Sequence, residues 1–106
     1  MRKTRWTALM GFILILAASG PALAHTPVCS CYGIGDGTVV CEGGFSDGSS
    51  AAGVEVRVVA EDGKVLEKGK MNDFSEFEFE KPDVPYKVIF DAGKGHEVKI
   101  PGETID

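Results

Sequence analysis

The chain has 106 residues, with 16 acidic side chains against 11 Lys and Arg and a formal net charge of −5. An acidic surface repels polyanions, so nucleic acid and anionic lipid are excluded as partners. The length allows a single small domain.

The chain opens on a basic stretch, Met1-Arg2-Lys3-Thr4-Arg5, and an apolar run follows from Trp6 to Ala18, broken only by Thr7 and Gly11. Ser19-Gly20-Pro21 and Ala22-Leu23-Ala24 come next. A charged region, an apolar region and an A-x-A site in that order describe a signal peptide over residues 1–24. The run is shorter than the roughly 20 apolar residues of a membrane-spanning helix, and Pro21 would end a helix there. Cleavage after Ala24 predicts a periplasmic or secreted protein that starts at His25 and does not insert directly into a membrane. Removing 24 residues from 106 leaves 82, with 16 acids against 8 bases and a net charge of −8. The only Trp leaves with the leader, so the core must come from Val, Ile, Leu and Phe. A core of that size is marginal, and a disulfide or a bound metal would supplement it.

Strand patterns fill the rest. Val28–Tyr32 and Thr38–Glu42 flank Gly33-Ile34-Gly35-Asp36-Gly37 and read as a hairpin. A polar connection, residues 43–50, carries a second turn at Asp47-Gly48. In Gly53–Val59, Val54, Val56 and Val58 share one face. Asp62-Gly63 is a hairpin turn, after which Lys64–Lys70 reads as a polar edge strand guarded by its lysines. Glu76-Phe77-Glu78-Phe79-Glu80 alternates strictly. Tyr86, Val88 and Phe90 lie on one side of the next strand, and Val98 and Ile100 point inward from His96–Ile100. No stretch holds a helical apolar period. Short strands separated by turn signals predict an all-β fold, a small Ig-like or transthyretin-like β-sandwich of six or seven strands.

From Gly44 to Ile100 the chain resembles the carboxypeptidase-regulatory-like, or transthyretin-like, domains. Ala52-Gly53-Val54-Glu55-Val56, Asp62-Gly63-Lys64, Phe77-Glu78-Phe79 and Pro85–Phe90 carry the resemblance. It implies a fold rather than a chemistry. Asp73-Phe74-Ser75-Glu76 stands where that family has Asp-x-x-Gly. The N-terminal His of the processed chain, together with Ala92-Gly93-Lys94-Gly95-His96, is also similar to small periplasmic accessory proteins of nickel and cobalt uptake systems. The expected domain limits are 1–24 for the leader, 25–43 for the Cys-containing hairpin segment and 44–106 for the sandwich that the hairpin joins.

Four residues near the processed N-terminus could carry chemistry. A free α-amine and an imidazole on the same residue, His25, can chelate one metal ion; otherwise His25 is simply a frayed end. Pro27, lacking an N–H, stops amide ligation from continuing along the chain. Cys29, Cys31 and Cys41 make an odd count, which in an exported protein calls for an explanation. A turn centred on Gly35 sets Cys29 opposite Cys41, with Cys31 and His25 sharing Cys29's face. Three thiolates and one His suit zinc, copper or nickel; the resemblance to the nickel and cobalt accessory proteins implies cobalt as a further possibility, and His96 could join as a further ligand or lie free on the surface. A disulfide is the competing use, Cys29–Cys41 or Cys31–Cys41, leaving one Cys for a metal or for a second chain. No catalytic arrangement stands out, and no enzyme activity is expected. The function expected is metal binding or delivery, with the metal ion and a membrane transporter or other exported protein as partners. The alternative is a disulfide-stapled structural or protein-interaction module without metal.

Overall fold

The computed structural model describes residues 25–106. The leader assignment therefore lies outside the described residues. Seven strands follow in order: β1 (Pro27–Gly33), β2 (Thr38–Phe45), β3 (Glu55–Ala60), β4 (Val65–Lys70), β5 (Glu76–Glu80), β6 (Tyr86–Asp91) and β7 (Glu97–Pro101), then a short 3-10 turn, Gly102–Thr104. They form two antiparallel sheets, β1-β2-β5 and β4-β3-β6-β7. The fold is a small all-β sandwich. Among the described residues, no helix is long and apolar enough to cross a membrane.

Period-two alternation dictates which side chains meet between the sheets. The three-stranded sheet turns in Val39, Cys41 and Phe79; the four-stranded sheet turns in Val56, Val58, Val88 and Phe90, all buried. Rings cross the gap: Phe45 to Phe90 at 6.4 Å and Phe79 to Tyr86 at 6.0 Å between centroids. Phe77 shares Phe79's face but is only half-buried, because β5 is an edge and Phe77 covers Gly69 of the facing edge strand β4. Val40, Val59 and Ile89 are buried although they face outward. Each sits between two cross-strand partners, at least one of them longer: Tyr32 and Glu78 beside Val40, Val65 and Lys87 beside Val59, and Arg57 and Lys99 beside Ile89.

Three core residues lie outside the alternating strands: Ala51, Met71 and Ile105. β3 starts at Glu55 rather than Gly53 because the Val54 amide donates to Ala51 and its carbonyl accepts from Met71, closing a bracket at that end of the sandwich. The turn before β5 is built one residue earlier than the Asp73–Glu76 segment suggests. Asn72 Oδ1 accepts from the Phe74 and Glu76 amides, and Ser75 takes a left-handed conformation at φ 62°. Asn and Ser thus perform the work of an Asp-x-x-Gly turn, and the Ser75 hydroxyl accepts from the Ala51 amide to tie that turn to the core.

β2 runs on to Phe45, through Gly43 and Gly44, which read in the sequence as a connection. Both glycines remain in the ladder, opposite Cys29 and Val28. Gly43 is required by packing, since a Cβ there would lie 2.7 Å from Phe90 Cε1.

Candidate functional site

The cysteine hairpin is β1 and β2 with the loop 34–37. The observed register closes in a hydrogen-bonded turn: the Ile34 amide donates to the Thr38 carbonyl, and Asp36 Oδ1 accepts from the Thr38 amide. The turn is therefore centred on Asp36, not Gly35, and every pairing moves by two residues from the expected one. Cys31 faces Cys41 and Cys29 faces Gly43. Of the two disulfides open to the sequence, Cys29–Cys41 and Cys31–Cys41, the chain forms Cys31–Cys41, with Cα atoms 4.0 Å apart. A shift of two preserves the faces, so all three cysteines still point into the sandwich, as the alternating burial of β1 shows.

Cys41 is fully buried. Cys29 is a free, half-buried thiol whose pKa burial pushes up to about 11. Both of its neighbours on the hairpin face, Cys31 and Gly43, offer it no charge. A thiol in that setting stays protonated and is a poor metal ligand or nucleophile near neutral pH.

His25 stands just before β1. Its Nδ1 lies 3.1 Å from Asp47 Oδ2, and its ring meets Phe45 edge-on with centroids 5.7 Å apart. Asp47 is held by Ser49, whose amide and hydroxyl both donate to Oδ1. Those bonds, and after them the charge of His25, keep the Asp47 carboxyl below its ordinary range. An Nδ1 engaged by a carboxylate leaves Nε2 as the outward-facing ligand atom. The expected chelate through the α-amine and Nδ1 would have to displace Asp47. Sequence reading gave no hint of this contact, because Asp47 belongs to a turn far along the chain.

His96 is exposed in the turn before β7, its amide donating to Gly93 and its carbonyl accepting from Ala92. β1 and β7 both begin at the end of the sandwich marked by the Phe45–Phe90 contact, so His25 and His96 share that end. Even so, among the described residues no group of three or more His, Cys, Asp and Glu side chains is arranged to hold a metal ion. With Cys31 and Cys41 spent on each other, the proposed three-thiolate set does not fit this arrangement of the hairpin.

The densest charge cluster was not foreseen. Arg57, on the outer face of the four-stranded sheet, binds Glu55 and Asp91 through Nη1 and approaches Glu97 at 3.7 Å through Nη2. The guanidinium, and after it the Gly93 amide, holds the Asp91 carboxyl below its ordinary range. This cross-strand network links β3, β6 and β7.

Compared with known proteins, the chain matches no family model, no curated protein and no solved structure.

Proposed function

We propose that the chain is an exported, disulfide-stapled β-sandwich of the transthyretin-like kind that acts as a structural or protein-interaction module rather than an enzyme. The observation that carries this reading is the Cys31–Cys41 bond, which takes two of the five candidate ligands and staples an edge strand to a small core. An oxidising compartment outside the cytoplasm, where the leader would send the chain, is where such a bond persists. The third cysteine, with its raised pKa, fits a packed side chain better than a nucleophile.

A second reading retains a metal, and the His25–Asp47 contact favours it. A carboxylate on one imidazole nitrogen orients and strengthens the other as a ligand. His96 at the same end of the sandwich would be the second donor for nickel, cobalt, copper or zinc. In that case the chain would deliver the ion to a membrane transporter or another exported protein.

Calorimetric titration separates the two. The oxidised protein beginning at His25 is titrated with Ni(II), Co(II), Cu(II) and Zn(II), and again with one residue added before His25. The interaction-module reading expects no binding tighter than about 10 μM, worth only ~7 kcal/mol. Tighter binding that His25→Ala, Asp47→Ala or His96→Ala abolishes would replace it with the metal reading, and loss on the extension alone would put the α-amine among the ligands in place of Asp47.

A further inference from the structure

We propose that β1 has two registers against β2, two residues apart, each locked by its own disulfide, Cys31–Cys41 or Cys29–Cys41. We further infer that the Asp106 backbone lying over Gly33 selects the first.

Cys29 and Cys31 face the same way, and a slip of two residues leaves every inward side chain inward. The slip is a translation of about 7 Å along the strand. β1 is an edge strand paired only with β2, so one ladder is broken and remade. Between the last paired residues the loop would shorten from Ile34–Thr38, below Gly33 and Val39, to Ile34–Asp36, below Gly33 and Gly37, and hairpins use loops of both lengths.

The disulfide and the register are coupled by distance. In the observed register Cys29 is a diagonal neighbour of Cys41, and diagonal Cα atoms lie about 7–8 Å apart. Disulfides need Cα atoms within about 6.8 Å. Cys29 can therefore bond to Cys41 only after the strand slides, and each bond then excludes the other register. The exchange is an isomerisation. A small external thiol such as glutathione starts it: its thiolate attacks Cys41 Sγ, forms a mixed disulfide there and releases Cys31 as a thiolate that takes up a proton. The freed strand slides, and the Cys29 thiolate then attacks Cys41 Sγ and expels the glutathione thiolate, which takes up the proton that Cys29 gave up, with no net oxidation or reduction.

What selects the register is the chain after β7. Gly33 stands opposite Val39, and a Cβ at Gly33 would collide with the Asp106 carbonyl. The slipped register puts Cys31, which has a Cβ, in that place. Ile105, buried in the core, anchors the segment that does the blocking. Burial of the Cys29 thiol acts in the same direction by keeping it protonated. The slip would also rearrange the exposed face: Tyr32 now sits opposite Val40 and donates to Glu42 at 2.8 Å, and it would move opposite Thr38.

The test refolds Cys31→Ser in a glutathione redox buffer and maps its disulfides, with cross-strand Hα contacts read by NMR. A Cys29–Cys41 bond with Cys29 opposite Cys41 is expected. A folded monomer with both thiols free, a disulfide-linked dimer, or a Cys29–Cys41 bond with residue 31 still opposite Cys41 would overturn the proposal. Should this variant fail to fold, Ile105→Ala in the otherwise native chain carries the test. Loosening the segment over Gly33 should raise the Cys29–Cys41 peptide at least about tenfold over wild type in the same buffer, a modest share of what a buried Ile→Ala change costs. An unchanged yield would overturn it.

Discussion

Cys31 and Cys41 face each other across β1 and β2 with Cα atoms 4.0 Å apart, while the other inward cysteine, Cys29, has only Gly43 opposite it. The bond closes a loop of ten residues' separation. In the chain-entropy view, closing a loop of that length is worth about 3 kcal/mol. Cys41→Ser removes the partner in either register. Its folded state should be less stable than oxidised wild type by about that amount in urea unfolding, and reducing agent should have little further effect. A variant as stable as the oxidised parent would show that the bond contributes nothing to the fold.

Phe79 is nearly buried and its ring touches both Phe77, at 6.2 Å, and Tyr86, at 6.0 Å. Phe79→Ala should cost roughly 3–5 kcal/mol, a large part of the stability of so small a domain. Phe77→Ala, at the half-buried edge, should cost less. Chemical denaturation of the pair checks the order, and equal costs would mean that β5 packs differently.

Two groups give opposite pH dependences. The folded Cys29 thiol has a pKa raised from 9.0 to about 11, so the stability it contributes is full below pH 9 and is lost as pH rises through about 11. Cys29→Ala should lack that part of the alkaline loss. Asp91 has a lowered pKa, so its contribution is present above the ordinary carboxyl value near 3.8 and is lost as pH falls through the depressed one. Asp91→Asn should flatten the acid limb and leave the alkaline limb unchanged. Urea midpoints across the pH range, variant against wild type, measure both.

If the leader is removed as proposed, N-terminal sequencing of the processed protein should return His25-Thr26-Pro27. A start at Met1 would remove the leader reading, and with it both the oxidising compartment and the chelating α-amine.

The strands were legible because alternation marks them. Phe77 and Phe79, Val56 and Val58, and Tyr86, Val88 and Phe90 each declare a face, and Asp62-Gly63 declares its turn. The hairpin register was not legible. Glycines at 33, 35 and 37 allow a centre at Gly35 or at Asp36, and the choice between them is a tertiary one, tied to the Asp106 backbone over Gly33. Ala51, Met71 and Ile105 escaped because they enter the core from loops and the final segment, where no period announces them. Gly43 looked like a linker and is a strand residue, since its missing Cβ is a packing requirement imposed by Phe90. The candidate site was half legible: the residue types and their common face followed from the sequence, but the partners, Asp47 for His25 and Cys31 for Cys41, depended on the turn and on distant loops.

Whether the chain's cysteines serve as one staple and one packed thiol or as a metal centre is decided by mass spectrometry of the purified protein, native and then denatured with alkylation. A Cys31–Cys41 linked peptide, a single alkylated thiol at Cys29 and no metal mass on the native protein are expected. Three alkylated cysteines together with a retained metal ion would contradict the staple.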